Sequence, residues 1–355
     1  MFVSPRHSWW LRISLFLPGL VYEVLVRLRN LLYDASLFPK RCLPRPVISI
    51  GNLTAGGSGK TPLAIHMAQI ILRVNGTPAL LSRGYGREAR NPIVLKPGER
   101  ITDPVRVLGD EPALVHRTVP HLWLGISPDR HAIGLEIARR AAHPLFILDD
   151  GFQHRRLKRD LDILVIDRTQ PLTENRMLPR GTLREPLGGL HRAGLLIING
   201  VWEDPGRDPV EIAIRRIKPD ALIFHCVQKI EHLVSWAQWR NHNAAGEMRA
   251  QAGPALLVAA IGNPRRFHRD VQALGMEIKG VRFFPDHYCL QQSDWQACVD
   301  EARRCGAAVL VTTEKDAIKM ADGLDFPLLV AVQSMRLSEE DQLERMLRAL
   351  IEGNI

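Results

Sequence analysis

Residues 47–61 read VISIGNLTAGGSGKT. An apolar, β-branched run at 47–50 leads into a glycine-rich loop that ends in Gly59-Lys60-Thr61, and the amphipathic run PLAIHMAQIILRV follows. This order predicts a strand, a phosphate-binding loop and a helix. The backbone N–H groups of such a loop turn towards an anion, and the positive end of the helix dipole favours the same charge. In this arrangement Lys60 reaches the outer phosphates of a nucleotide and the Thr61 hydroxyl binds Mg²⁺.

The loop departs from the common motif at its start, where Thr54 replaces the glycine usually found five residues before the Gly-Lys pair. Gly56 and Gly57 supply the flexibility instead. The alternative is an ordinary glycine-rich turn between a strand and a helix. The order of strand, Lys-Thr loop and helix favours phosphate binding, and residues 54–61 are called the phosphate loop below.

The rest of the chain alternates between strand-like and helix-like patterns, which predicts an α/β fold with a mostly parallel sheet covered on both faces. Strand patterns lie at 79–82, 122–126, 145–149, 163–167 and 195–198, and helix patterns lie at 61–74, 111–117 and 128–140. A second, smaller α/β series has strands at 255–261, 280–284 and 308–312 and helices at 264–274 and 293–304. Two further strand patterns, 221–227 and 327–333, flank this series, so we expect them to pair as a two-stranded hinge. Residues 338–351 predict a helix capped by Ser338.

Composition is that of a globular protein, with 46% hydrophobic and 24% charged residues. The net charge of +9 is uneven, because residues 1–45 hold seven arginines and lysines against two acids. Such a basic surface predicts an anionic partner: nucleic acid, anionic lipid or a phosphorylated substrate. The five cysteines show no C-x-x-C spacing, which favours free thiols in a reducing cytoplasm.

The segment at 9–33, WWLRISLFLPGLVYEVLVRLRNLLY, has apolar residues at helical spacing. Its longest uncharged run, 13–22, is too short to span a bilayer, and no cleavage site of a signal peptide follows. We expect a helix that lies in a membrane interface, with Arg12, Arg27 and Arg29 on anionic headgroups. A helix packed on the core of the protein is the alternative.

Two pairs of neighbouring acids are candidates for metal binding and catalysis. Asp149 and Asp150 end an apolar run, LFILDD, and such a strand beside a phosphate loop presents a carboxylate to Mg²⁺. Because the two are adjacent they point in different directions, so one can bind the metal while the other supports it. Asp110 and Glu111 begin a helix after Gly109, where Asp110 fits an N-cap or a general base and Glu111 a metal contact. The run at 163–167, which ends in Asp167, is a weaker rival for the metal.

Arginines beside glycines predict a basic rim around this region, because glycine allows close approach to an anion. The three loops are SRGYGR with Arg83, SPDR with Arg130 and LPRGTLRE with Arg184. In the second series, FFPDHY places Asp286 and His287 after a strand, and TTEKD ends the next strand. A lone Asp-His pair is more often structural than catalytic.

Taken together and in order, these motifs resemble the tetraacyldisaccharide 4'-kinase family of lipid A synthesis. The resemblance spans residues 47–316 and is most specific in two segments, the threonine-initiated phosphate loop and LDDGFQHRRL at 148–157; the other matching motifs are LSRGYGR, GDEP, SPDR, LPRGTLREP, IGNPRRF, FPDHY and TTEKD. It implies a P-loop NTPase-like α/β/α sandwich with a second, smaller α/β/α domain and a two-stranded linker. It also implies an interfacial N-terminal helix and phosphorylation of the 4'-hydroxyl of an acylated glucosamine disaccharide 1-phosphate, with ATP and Mg²⁺.

The resemblance also implies roles for individual residues. ATP would be bound by the phosphate loop and Arg130, the metal by Thr61, Glu111 and Asp149, and substrate anions by Arg83 and Arg184; the loop residues are Thr54, Ala55, Gly56, Gly57, Ser58, Gly59, Lys60 and Thr61. Catalysis would use Lys60 and Asp150, with Asp110 as the base assisted by His287. Many family members have two histidines where this chain has His287-Tyr288, so the role of Tyr288 is open.

On this basis we divide the chain into an interfacial helix (1–35), a phosphate-loop kinase domain (36–215), a second α/β domain with the hinge (216–335) and a C-terminal helix (336–355). The expected location is the cytoplasmic face of the inner membrane, on an anionic lipid surface and with no nucleic acid bound. Two other functions share the phosphate loop: a nucleotide-driven membrane-associated switch and a nucleic-acid-dependent ATPase. An acid–histidine pair has no role in a pure switch. A nucleic-acid-dependent ATPase is expected to carry more aromatic residues than the 6% found here.

Overall fold

The computed structural model describes residues 14–88, 90–170, 172–173, 175–200, 208–241, 253–286, 288–320 and 323–353. Strand β1 (Val47–Gly51) is buried along its whole length and lies inside a large sheet. It pairs in parallel with β5 (Pro144–Asp149) on one side and with β6 (Leu161–Asp167) on the other. The carboxyl ends of these three strands therefore meet at one edge of the sheet, where the phosphate loop begins.

The described residues form a 12-stranded sheet in the order β10-β9-β11-β12-β8-β7-β6-β1-β5-β2-β4-β3. All pairs are parallel except β3 with β4 and β8 with β12. The fold is thus α/β with a mostly parallel sheet, as predicted. The other strands are β2 (Thr77–Ser82), β3 (Ile93–Leu95), β4 (Trp123–Ile126), β7 (Leu195–Asn199), β8 (Ile223–Ser235), β9 (Ala255–Ala259), β10 (Ile278–Phe283), β11 (Val309–Thr313) and β12 (Leu328–Leu337).

Helices connect most of these strands. They are α1 (Phe16–Asp34), α2 (Lys60–Arg73), α3 (Pro104–Leu108), α4 (Asp110–Thr118), α5 (Arg130–Arg140), α6 (Pro209–Ile217), α7 (Trp236–Arg240), α8 (Pro264–Ala273), α9 (Gln292–Cys305), α10 (Glu314–Ala317) and α11 (Glu340–Glu352), with a 3-10 helix at Leu187–Arg192. We call β1 to β7 and their helices the phosphate-loop half, and β9 to β11 with α8 to α10 the distal half.

Side chains alternate across the sheet and build a core on each face. In β1, Ile48 and Ile50 pack in the cluster that contains α2 and α11, whereas Val47 packs in the cluster with α5. In the distal half, Phe267 of α8 and Trp295 of α9 belong to two separate clusters around β9. Helices therefore cover the sheet in both halves.

Strands β8 and β12 join the two halves of the sheet. They pair antiparallel from Leu329 opposite Ser235 to Leu337 opposite Cys226, and both are longer than the sequence pattern predicted. Ser338 continues this pairing, since its N–H donates to the His225 carbonyl and its hydroxyl accepts from the His225 N–H. The predicted cap at Ser338 is therefore wrong: α11 begins at Glu340, and no side chain caps it.

Helix α1 has one face on the protein and one exposed apolar face. Gly19 and Val26 are buried, and Gly19 packs closely against the Arg180 side chain. The exposed large apolar side chains are Phe16, Leu17, Leu20, Val21, Val24, Leu25, Leu28 and Leu31. Arg12 lies outside the described residues, and within them no helix has the length and apolar character needed to cross a membrane. The alternative of core packing thus holds for the inner face of this helix, and the membrane interface stays a prediction for its exposed face.

Candidate active site

Two amide side chains pack behind the phosphate loop, and one of them is hydrogen-bonded to it. Gly59 has φ +90° and precedes α2, and a Cβ on it would lie 2.3 Å from Gln228 Nε2 and 2.4 Å from Asn199 Nδ2. Asn199, at the end of β7, donates from Nδ2 to the Ser58 carbonyl at 2.9 Å. Only glycine fits this position, because a side chain would meet both amides and the backbone is left-handed.

The LPRGTLRE segment lies along the other side of the phosphate loop. Thr54 forms an isolated antiparallel bridge with Leu183, and the Ala55 N–H donates to the Thr182 carbonyl at 2.6 Å. The Arg184 N–H donates to the Leu53 carbonyl at 2.7 Å. The sequence motifs pointed to both segments, but nothing in them predicted that the LPRGTLRE segment would line the phosphate loop.

Lys60, Asp150 and Arg184 meet at the mouth of the loop. Lys60 Nζ lies 3.6 Å from Asp150 Oδ1 and donates to Asn52 Oδ1 at 3.2 Å. Arg184 Nη1 lies 2.9 and 2.8 Å from the two Asp150 oxygens. Burial alone would raise the pKa of Asp150, but the charges of Lys60 and Arg184 outweigh it and hold the pKa below its ordinary value. Asp150 is therefore an ionised carboxylate between two cations.

The neighbouring Asp149 is in the opposite situation. It is buried, and its Oδ2 accepts a hydrogen bond from Ser82 Oγ at 3.2 Å. Its Oδ1 is also buried and has no hydrogen-bond partner among the described residues. Burial, with the nearby charges of Glu111 and Asp150, raises the pKa of Asp149 to about 7 in the unliganded protein. A buried carboxylate oxygen without a partner is the feature that a bound cation would satisfy.

These acids suit a metal that shares its ligands with a nucleotide. Within the described ranges, no group of three or more His, Cys, Asp or Glu side chains is arranged to hold a metal by itself. Mg²⁺ in phosphoryl-transfer sites usually keeps several waters and binds one or two carboxylates together with substrate phosphates. The free oxygen of Asp149, with Glu111 close enough to shift its pKa, fits that pattern.

Asp110 and Glu111 begin helix α4, and the loop before them is shaped by Gly109. This glycine has φ +90°, and a Cβ on it would lie 2.6 Å from the Tyr85 carbonyl oxygen, so the SRGYGR loop packs directly against it. Gly109, not Asp110, occupies the N-cap position. The Asp110 carboxylate accepts from the Glu111 N–H at 2.9 Å and lies 3.6 Å from Lys319 Nζ.

The arginines of the predicted rim come together at the same edge of the sheet. Arg130 is 3% exposed at the start of α5. Burial and the nearby Arg83 lower the pKa of Arg130, while the charges of Asp149 and Asp150 oppose that change. Burial and the surrounding arginines, Arg130 first among them, lower the pKa of His154 to about 4. A strongly positive rim thus borders the two aspartates.

The distal half reaches across the phosphate loop. A Cβ on Gly262, just beyond β9, would lie 3.2 Å from Asp286 Oδ2 and 3.9 Å from the Gly57 backbone nitrogen. Asp286 also lies 3.3 Å from Lys315 Nζ. His287 lies outside the described residues, so its predicted partnership with Asp110 stays a prediction. Tyr288 stacks on Phe284, with ring centroids 5.3 Å apart, and its hydroxyl donates to Asp294.

A second contact, at the far end of α4, reaches α7 and through it the distal half. The Arg117 guanidinium lies 3.8 Å from the centre of a Trp239 ring, and Trp239 Nε1 donates to Glu314 Oε1 at 3.1 Å. Leu114 packs beside it against Trp239 and Ala317. Sequence reasoning missed this contact, since nothing local marks a surface arginine as the partner of a distant tryptophan. In the TTEKD motif, Asp316 is buried and accepts from the Ala260 N–H and the Thr313 hydroxyl, which is a structural role.

Known proteins resemble this chain over most of its length. The family described as tetraacyldisaccharide-1-P 4'-kinase matches residues 11–352. A tetraacyldisaccharide 4'-kinase of Chlorobium limicola is 36% identical over 304 residues, 84% of each chain, and one of Syntrophus aciditrophicus is 35% identical over 342 residues, 92% of this chain and 90% of that one. A crystal structure of LpxK from Aquifex aeolicus in complex with ATP superposes with a TM-score of 0.73 at 27% identity, covering 96% of this chain and 99% of the other. The chain therefore belongs to the tetraacyldisaccharide 4'-kinase family.

Proposed function

We propose that the chain transfers the γ-phosphate of ATP to the 4'-hydroxyl of a tetraacyldisaccharide 1-phosphate at the edge of the sheet where β1 and β5 end. ATP-dependent 4'-phosphorylation in lipid A biosynthesis is the activity of the family, and the switch and nucleic-acid alternatives are not favoured. The observation that supports this location best is the row of Lys60, Asp150 and Arg184 beside the unpartnered oxygen of Asp149.

The phosphate loop binds the phosphates of ATP through its backbone N–H groups and the start of α2. Lys60 stabilises the charge that shifts between the β- and γ-phosphates, and Asp150 and Arg184 fix its position. Arg130 adds a buried positive charge on the nucleotide side, and Arg83 with Arg184 receives anionic groups of the lipid.

Thr61, Glu111 and Asp149 would hold Mg²⁺, which would supply positive charge beside the phosphates. The residues fit it because Asp149 offers a free, buried oxygen in a cluster of negative charge. In its absence the same cluster keeps Asp149 partly protonated near neutral pH.

Asp110 accepts the proton of the 4'-hydroxyl, with His287 assisting. The sugar oxygen forms a bond to the γ-phosphorus, the bond between that phosphorus and the β–γ bridging oxygen breaks, and ADP leaves. Two α/β/α domains joined by β8 and β12 as a hinge bring the acid and the histidine together on closure. The contacts of Lys319 with Asp110 and of Arg117 with Trp239 support a shape in which the halves meet over α4.

In this proposal the exposed apolar face of α1 lies in the lipid interface at the cytoplasmic face of the inner membrane, where the acceptor resides. Leu17 and Leu31, more than 60% exposed, lie on this face, and Arg27 lies beside it within reach of anionic headgroups. Docking there spares the enzyme from extracting a four-chain lipid into water.

The test is transfer from labelled ATP to a panel of acceptors: purified tetraacyldisaccharide 1-phosphate, RNA and a protein extract. We expect label in the lipid alone, with Lys60→Ala and Thr61→Ala inactive while thermal unfolding is unchanged. Lys96→Ala, at an exposed lysine far from the loop in sequence, is the matched control and keeps full transfer. Transfer to RNA or protein, or normal turnover of the Lys60 and Thr61 variants at saturating MgATP, contradicts the proposal.

A further inference from the structure

The protein-facing side of α1 is tied by hydrogen bonds to the segment that binds Asp150. The Tyr22 hydroxyl donates to the Arg184 carbonyl at 3.0 Å, and the guanidinium of the same arginine contacts both oxygens of Asp150. One hydroxyl on α1 thus holds the backbone of the residue that fixes the carboxylate beside Lys60.

The next residue, Glu185, is the centre of this connection. Its side chain is fully buried and accepts from Arg29 Nη2 at 3.1 Å, Asn30 Nδ2 at 3.0 Å and Arg192 Nη2 at 2.8 Å. Two of the three donors come from α1. Arg29 is therefore turned towards the protein, in contrast to the headgroup contact expected from the sequence.

A second segment near the site is bound to the same helix. Arg155, five residues after Asp150, donates from Nη1 to the Asn30 carbonyl at 3.0 Å and forms an ion pair with Asp34. Its side chain is 4% exposed. The segment that contains Asp150 and the segment that contains Arg184 are therefore both hydrogen-bonded to α1.

We infer that Tyr22, Asn30 and Glu185 are positioning residues of the kinase site, so that α1 sets the place of Arg184 and, through it, of Asp150. The helix then has two functions on opposite faces, since its exposed side carries large apolar residues and its inner side carries Tyr22, Arg29 and Asn30, which bond to the two segments. This inference rests on the proposed roles of Arg184 and Asp150. It differs from simple anchoring, in which loss of the inner contacts would change membrane binding or stability but leave the chemical step intact.

The experiment measures kcat, the KM for MgATP and the dissociation constant of ATP in detergent micelles for Tyr22→Phe and Asn30→Ala. Each loses one or two hydrogen bonds and leaves the exposed face unchanged. We expect kcat to fall roughly 3- to 10-fold, the range for loss of one net hydrogen bond, with ATP binding and vesicle binding unchanged. Glu185→Gln strands guanidinium donors in a buried site, and we expect a larger loss, rescued in part by Glu185→Asp.

The decisive comparison repeats Tyr22→Phe in an Arg184→Ala background. If Tyr22 acts through Arg184, the second substitution adds little to the loss caused by the first, because residues that act as a unit are non-additive. Glu23→Gln is the control on the same helix, since Glu23 pairs with Arg27 at the surface and touches neither segment in these contacts. Native kcat in Tyr22→Phe and Asn30→Ala, or fully multiplicative losses with Arg184→Ala, overturns the inference. Native kcat in Arg184→Ala itself instead refutes the proposed role of the Arg184–Asp150 pair, and this inference with it.

Discussion

Lys319 Nζ lies 3.6 Å from Asp110 Oδ2, although the two residues belong to opposite halves of the sheet. Lys319 follows α10 in the distal half and its side chain is 6% exposed, and Asp110 begins α4 in the phosphate-loop half. Among the described residues, Lys319 Nζ has no hydrogen-bond partner. A buried ammonium in an ion pair is stabilised by its carboxylate, so this contact favours the arrangement in which the halves meet.

We predict that Lys319→Met lowers kcat roughly 10- to 100-fold, the range for loss of a charged contact at a buried site. Methionine fills the space but neither orients the Asp110 carboxylate nor stabilises its charge. Steady-state kinetics on the lipid acceptor measures the loss, and Lys279→Met, at an exposed lysine of β10, is the matched control. Asp110→Asn combined with Lys319→Met should be little worse than Asp110→Asn alone. Equal kcat in Lys319→Met and the native enzyme would show that the contact has no role in turnover.

Gly59→Ala is predicted to disrupt the phosphate loop. Its Cβ would lie within 2.4 Å of two amide side chains, and φ +90° costs a non-glycine residue on the order of 1–2 kcal/mol even without the clash. We expect a lower melting temperature and loss of ATP binding, measured by thermal unfolding and calorimetric titration. Gly57→Ala is the control for stability, because a Cβ there meets nothing within 4 Å. If both variants melt together with the native protein, the packing described behind Gly59 is wrong.

The phosphate-loop half could be predicted from the sequence because its signals are local. A β-branched strand, glycines, Lys-Thr and an amphipathic helix follow one another, so β1 and α2 lie where the pattern placed them, within a residue or two. The adjacency of Asp149 and Asp150 predicted that they would diverge. The structure adds which is which: Asp150 faces two cations, and Asp149 faces Ser82 with one oxygen free.

The remaining parts depend on contacts between segments far apart in the chain. Ser338 has the sequence context of a helix cap, but its hydroxyl accepts a hydrogen bond from the backbone of the neighbouring strand β8 instead. Arg29 looked like a headgroup ligand, but the buried charge of Glu185, 156 residues away, binds it instead. Periodicity and spacing rules describe neighbours in sequence, so they cannot predict such pairings. These pairings form only once distant segments have been brought together by the fold.

We predict that Asp149→Asn abolishes transfer but stabilises the unliganded protein at pH 8. The pKa of Asp149 is raised from its ordinary value of 3.8 to about 7 in the folded state. Between these values the folded protein binds more protons than the unfolded chain, so stability falls as pH rises from about 4 through about 7. The full cost, at most about 4 kcal/mol, is present above pH 7.

Thermal unfolding at pH 5 and pH 8, without nucleotide or metal, measures this effect. The difference between Asp149→Asn and the native protein should be large at pH 8 and small at pH 5. If the difference in stability between the variant and the native protein is the same at pH 5 and pH 8, the Asp149 carboxylate is either exposed to solvent or paired in the folded protein.

Finally, we predict that Leu25→Gln combined with Leu28→Gln weakens binding to anionic vesicles while kcat in detergent micelles is unchanged. The two side chains are 59% and 49% exposed on the outer face of α1. Burying a leucine side chain is worth about 1.5–3 kcal/mol, so even partial immersion of both should lower the partition coefficient roughly 10-fold or more. Point substitutions on this face are a sharper test than removal of the helix, because removal would also break the contacts of Tyr22 and Asn30 with the active-site segments.

Val281→Gln, at a similarly exposed apolar residue of β10, is the matched control and should not change vesicle binding. Residual binding of the native protein should fall with salt, since Arg27 adds an electrostatic part that ions screen. Equal partition of the double variant and the native protein would place the outer face of α1 away from the lipid.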